Sequence, residues 1–137
     1  MRLLICAGGT GGGVYPALAV HGALVSKVAD VETLWVGGEG GMEESLVKRQ
    51  GIPFRSVPAA GVHGVSLLAL PRNLVQVGRG VLAARSLLND FKPDVLFFTG
   101  GYVAVPVALA GHTIPSLLYV PDIEPGMALK SLARFAD

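Results

Sequence analysis

The run Ala7-Gly8-Gly9-Thr10-Gly11-Gly12-Gly13-Val14-Tyr15-Pro16 follows the apolar stretch Leu3-Leu4-Ile5-Cys6 and constrains the fold more than any other part of the chain. The apolar stretch reads as a buried strand, and five glycines in the six residues from Gly8 to Gly13 read as a loop with almost no side chains. A helix is predicted from Pro16, because proline has a preset φ that suits the first helical turn and its missing N–H would have no partner there. Backbone N–H groups in such a loop approach a ligand closely, and a helix N-terminus adds partial positive charge. The guest expected of this arrangement is a phosphate, a diphosphate or a sugar. The plain alternative is a tight βα turn without a ligand, but that needs fewer glycines.

Two familiar nucleotide motifs fail at position 14. A dinucleotide fingerprint anchored on Gly9 and Gly11 requires a third glycine there, and a P-loop anchored on Gly8 and Gly13 requires lysine; the residue is Val14. A second loop resembles the first. Val95-Leu96-Phe97-Phe98 reads as a buried strand, Thr99-Gly100-Gly101-Tyr102 follows, and an apolar helix comes next with Pro106 near its start. In an open parallel sheet ligands sit beyond the carboxyl ends of the strands, where strand order reverses. The two glycine loops are therefore expected to line one crevice.

Strand and helix signals alternate along the whole chain. Strands are predicted at 2–6, 32–37, 53–57, 94–98 and 116–120, and helices at 16–28, 42–50, 72–89, 104–110 and 126–134. The fold class that follows is α/β: a single Rossmann-like domain over 1–137, a parallel sheet with helices on both faces and right-handed crossovers. Leu18, His21, Leu24, Val25 and Val28 share one helical stripe, so His21 reads as a helix-face histidine near the core rather than a catalytic one. Glu43 and Glu44 read as ordinary acidic residues of a first helical turn.

Composition adds a second constraint. The chain is 51% hydrophobic and 15% charged, against about 25% charged in typical domains. A domain this apolar is expected to hide one face against a partner, another domain or a membrane. Leu67, Leu68 and Leu70 precede a helix that carries Arg72, Arg79 and Arg85 among Leu74, Val75, Val81 and Leu82. That pattern fits a surface lying on an anionic bilayer, with arginines reaching headgroup phosphates. It also fits a crossover helix packed on the sheet with solvated arginines. A net charge of +1 gives no nucleic-acid footprint. Cys6 is expected to be a buried small hydrophobe in a reducing compartment. No apolar run approaches the roughly 18 residues of a membrane span. The N-terminus reads as a first strand rather than a signal peptide, so a cytoplasmic protein is expected.

The stretch Gly8 to Val20 closely resembles the opening motif of MurG-like glycosyltransferases, glycosyltransferase family 28. Lys92-Pro93-Asp94-Val95 leading to Thr99-Gly100-Gly101-Tyr102-Val103 resembles their second glycine loop, and Met42-Glu43, Gly51-Ile52 and Ala60-Gly61 fall between in the same order. The resemblance covers the whole chain but only the N-terminal half of the family. It implies one half of a GT-B architecture, an inverting transfer and no essential metal or other cofactor. It also implies a UDP-sugar donor, UDP-GlcNAc, held by a C-terminal domain or a partner chain, and a lipid-linked acceptor. The N-terminal half is then a peripheral domain on the inner face of the cell membrane. Carried over, the acceptor diphosphate falls to Gly9, Thr10, Gly11, Gly12 and Gly13 in the first loop and to Thr99, Gly100, Gly101 and Tyr102 in the second. The membrane patch falls to Leu67, Leu68, Leu70, Arg72 and Arg79.

Two positions depart from the family. Its first loop usually ends in histidine, where this chain has Gly13. Its His-Glu-Gln-Asn run after the last strand corresponds here to Tyr119-Val120-Pro121-Asp122, followed by Ile123-Glu124. An inverting transferase needs a base for the acceptor hydroxyl and stabilisation of the departing diphosphate. Asp122 and Glu124 are the candidate bases, with helix capping near Gly126 as the competing explanation and His63 as the next candidate. A second functional class also fits: a non-catalytic membrane- and acceptor-binding subunit of a two-chain N-acetylglucosaminyltransferase.

Overall fold

The computed structural model describes residues 1–9, 11–59, 68 and 70–120. Five short apolar runs become parallel strands: β1 (Arg2–Ala7), β2 (Glu32–Gly38), β3 (Phe54–Val57), β4 (Val95–Gly100) and β5 (Ser116–Leu118). Helices α1 (Gly11–Val25), α2 (Glu43–Arg49), α3 (Leu70–Phe91) and α4 (Ala104–Ala110) connect them. The sheet order is β3-β2-β1-β4-β5. The chain thus winds outward from β1 to β3, crosses back through α3, and continues from β4 on the other side of β1.

Right-handed crossovers require helices on opposite faces for these two directions of travel, and the core divides accordingly. Leu3, Ile5 and Ala7 of β1 join Trp35 and Phe97 beneath Val14 and Ala17 of α1 and Val47 of α2. Leu4 and Cys6 point the other way and join Val36, Leu96 and Phe98 beneath Ala84 and Leu88 of α3 and Ala104 and Val107 of α4. The alternation of β1 follows from the side-chain period of two along a strand. Both faces are covered, which is why the buried positions of the central strands are apolar except for Thr33 and Thr99.

The Rossmann-like sheet with helices on both faces is the one expected, with shifts at element ends. The largest is α1, which begins at Gly11 and not at Pro16; Pro16 is its sixth residue. Glycine is a poor helix former, but Gly13 and Val14 are buried against the sheet in helical conformation, so packing overrides local preference. The buried stripe of α1 is correspondingly Gly13, Val14 and Ala17, with Leu18, His21 and Leu24 half-buried, whereas Val25 and Val28 are exposed. The helix ends at Val25, and the turn back to β2 carries Val28 outside the core. β4 runs on through Thr99 and Gly100, two residues past the expected end, and β5 stops at Leu118. The helix expected at 126–134 lies outside the described residues.

Candidate functional site

Strand order reverses between β1 and β4, and both glycine loops leave the sheet there. The indole N–H of Trp35 donates to the carbonyl of Ala7 at 2.9 Å in the buried core, fixing the end of β1. Pairing of β1 with β4 then slips by one residue: Cys6 faces Phe98, but Ala7 faces Gly100. Thr99 is the extra residue, and a bulge of this kind re-aims a side chain. Its buried hydroxyl donates to the Gly13 carbonyl at 2.9 Å, joining the second loop to the first turn of α1 across 86 positions of sequence.

Gly101 seals the contact. Its φ is +89°, and a Cβ there would strike the Gly8 carbonyl. Gly13 is nearly as confined, since a Cβ would lie 3.1 Å from the Thr99 hydroxyl oxygen. Two exposed aromatic residues stand near this rim, Tyr15 as the fifth residue of α1 and Tyr102 just after β4. Tyr15 lies over Gly11, where a Cβ would be 3.3 Å from its ring. The N–H groups of a helix's first turn lack intrahelical acceptors, and in α1 they belong to Gly11, Gly12 and Gly13. The arrangement offers backbone donors, a favourable helix dipole and almost no side-chain bulk, which suits an anionic group.

Sequence reasoning missed one residue of this rim. Glu43 is not a solvated helix-start charge: it is 1% exposed. Its carboxylate accepts from the Gly38 N–H at 2.9 Å and from the Gly9 N–H at 3.4 Å. The glycines around it, Gly37-Gly38 and Gly40-Gly41, were the available signal. Glu44 does behave as an exposed charge, pairing with Lys48 at 2.6 Å. Burial, and secondarily the nearby Glu43 charge, pushes the Cys6 thiol well up from its usual range, so it stays protonated.

Gly9, Gly11, Gly12, Gly13, Thr99, Gly100, Gly101 and Tyr102 therefore meet at one rim. Thr10, Leu67, His63, Asp122 and Glu124 lie outside the described residues. Gly80 of α3 packs against the Pro58 carbonyl, just past the end of β3. The turns of α3 before Gly80 therefore project beyond the strand ends, on the same side as the glycine loops. They carry Arg72, Val75 and Arg79 at helical spacing, with Leu82 one turn further on. Val75 is 64% exposed and Leu82 72%. Arg72 and Arg79 flank a groove of about 510 Å³ with Pro71, Val75 and Gln76. The other face of α3 packs through Gly80, Ala84 and Leu88, so the helix is both a packed crossover and a partly apolar, basic surface. Among the described residues no helix is long and apolar enough to cross a membrane, and no three His, Cys, Asp or Glu side chains are placed to hold a metal ion.

This geometry has counterparts among known proteins. Residues 3–137 match the model of the glycosyltransferase family 28 N-terminal domain. A UDP-N-acetylglucosamine--N-acetylmuramyl-(pentapeptide) pyrophosphoryl-undecaprenol N-acetylglucosamine transferase from Roseiflexus sp. is 42% identical over all of this chain, which spans 36% of that relative. The protein of the same name from Desulforudis audaxviator is 42% identical over 99% of this chain and 37% of its own length. The crystal structure of MurG from Acinetobacter baumannii superposes with a TM-score of 0.83 at 31% identity, over 98% of this chain and 39% of that one. The chain thus spans well under half the length of these relatives. With its two glycine loops joined at the β1/β4 switch point, the chain belongs to the glycosyltransferase family 28 N-terminal domain family.

Proposed function

We propose that this chain is the acceptor- and membrane-facing half of an inverting glycosyltransferase of GT-B architecture. The enzyme moves GlcNAc from UDP-GlcNAc to a lipid-linked diphosphate acceptor, the reaction for which its relatives are named. The observation that carries this reading is the junction of the two glycine loops through Thr99 and Gly13. It gathers backbone donors at one rim, where a diphosphate is held without a cationic side chain. The donor sugar is held by the other half of the enzyme. A base must come within hydrogen-bond reach of the acceptor hydroxyl. Gly13 has no side chain for this, so the role falls to Asp122 or Glu124, four and six positions after the end of β5 in sequence.

The test is transfer by the full-length gene product. With labelled UDP-GlcNAc and an undecaprenyl-diphosphate-MurNAc-pentapeptide acceptor, a GlcNAc-extended lipid is expected, and Asp122→Asn or Glu124→Gln is expected to slow turnover by roughly two to four powers of ten. The 137-residue chain alone is expected to be inactive. Absence of transfer to any polyprenyl-diphosphate sugar would refute the reading. Transfer only after adding a separate donor-binding polypeptide would favour the two-chain arrangement.

The same reading places the Arg72–Val75–Arg79–Leu82 stripe on the inner face of the cell membrane. Basic residues near an anionic surface contribute about 1 kcal/mol each. Co-sedimentation with anionic vesicles is expected to weaken at high salt and to fall sharply in the Arg72→Glu/Arg79→Glu double variant. Equal binding to neutral and anionic vesicles would contradict it.

A further inference from the structure

We propose that Glu43 is a positioning residue of the candidate site. Its buried carboxylate ties the end of β2 to the first glycine loop and sets the orientation in which that loop enters α1. The consequence for ligand binding rests on the acceptor reading above; the structural link does not.

The first observation is the pairing. Glu43 takes two N–H groups from separate segments, Gly38 at the end of β2 and Gly9 just after β1; Gly9 lies 34 positions away in sequence. The second is the socket. A Cβ on Gly8, Gly37 or Gly41 would collide with the Glu43 carboxylate, and a Cβ on Gly37 would fall 2.7 Å from its Oε1. None of these three glycines has the positive φ that favours glycine. Space for the carboxylate accounts for Gly8 and Gly41, and at Gly37 the Phe54 ring crowds the same position; backbone conformation accounts for none of them.

The third observation is cost. A carboxylate withdrawn from water is expensive unless its oxygens are hydrogen-bonded. Helix-start electrostatics do not require burial, as exposed Glu44 shows on the next residue. What burial adds is geometry. Gly9 stands at φ +86°, and a Cβ there would meet nothing within 4 Å, so no packed neighbour on that side fixes it. The Glu43 contact directs its N–H toward β2 and away from the crevice. The donors left to face a ligand are then those of the first turn of α1, held in turn by Thr99 through Gly13. Glu43 and Thr99 thus grip the loop from opposite sides.

The test uses the full-length gene product labelled with ¹⁵N-glycine, as wild type, Glu43→Gln and Glu43→Asp, with inorganic diphosphate as the probe. Glutamine keeps one acceptor, for the shorter Gly38 bond, and turns a donor toward Gly9. Aspartate keeps the charge but is one methylene too short to reach both. Both variants are expected to release the Gly9 amide, seen as a shift change and faster exchange, while remaining folded. Both are expected to weaken diphosphate binding about tenfold, the scale of one lost hydrogen bond to a charged group. A merely structural role would lower the melting temperature and leave the affinity of the folded protein unchanged; that result, or an unmoved Gly9 amide, overturns the proposal. If the wild type binds no diphosphate but both variants release Gly9, the acceptor reading fails and the positioning of the loop stands. If neither variant folds, the wild type decides. The exposed Gly9 amide must then exchange with solvent much more slowly than a free loop amide, because Glu43 holds it; exchange at the free rate overturns the proposal.

Discussion

Gly101 shows how little room the junction leaves. Its positive φ and its contact with the Gly8 carbonyl are independent reasons why no other residue fits. Strained φ costs about 1–3 kcal/mol, and forced overpacking adds a similar amount. Gly101→Ala is therefore expected to destabilise the protein by about 2–6 kcal/mol in urea unfolding. A loss below about 1 kcal/mol would mean the loops separate at little cost. Gly9 shares the positive φ, but a Cβ there would meet nothing within 4 Å, so only strain opposes a side chain. The glycine pattern points to both residues. It does not distinguish a glycine demanded by a neighbour, such as Gly101, from one demanded by conformation alone.

Among the helices, α1 carries an internal defect. Pro16 lacks the N–H that would bond to the Gly12 carbonyl one turn earlier, and Gly12 is exposed. Proline inside a helix costs about 3 kcal/mol relative to alanine. Part of that cost is offset because proline also restricts the unfolded chain, by up to about 1 kcal/mol. Pro16→Ala is expected to raise stability by about 2–3 kcal/mol, read as a higher thermal midpoint. A lower midpoint would show that the proline ring packs in a way alanine cannot replace. The start of α1 escapes sequence reasoning for a related cause. Proline in a first turn and glycine in a loop are local preferences, and the contact that holds Gly13 in helix comes from Thr99, far along the chain.

The packing of α1 on β2 couples the stability of the entire fold to pH. His21 Nε2 lies 3.1 Å from the Thr33 hydroxyl, and burial lowers the His21 pKa below its usual 6.5. The unfolded chain therefore takes up the proton first. The His21 contribution is fully present above pH 6.5 and is lost as pH falls through the folded-state value. The urea midpoint is expected to drop between about pH 7 and pH 5, and His21→Gln is expected to flatten that part of the profile. An unchanged slope would remove His21 from the coupling.

Short windows of sequence suffice for the alternation of strands and helices, the parallel class of the sheet, the two glycine loops and their place at one crevice. Each rests on a local signal: a period of two or 3.6, a turn residue, a run of residues without side chains. No local window holds the order β3-β2-β1-β4-β5, the bulge that turns Thr99 toward Gly13, or the burial of Glu43 among glycines from two loops; these come from the packing of distant segments. Glu43 and Glu44 are the same residue in neighbouring positions, and the nearby glycines at 37, 38, 40 and 41 mark the pair without telling one from the other. One faces the ends of β1 and β2 and the other faces water, because burial is set by which distant segments the fold brings alongside.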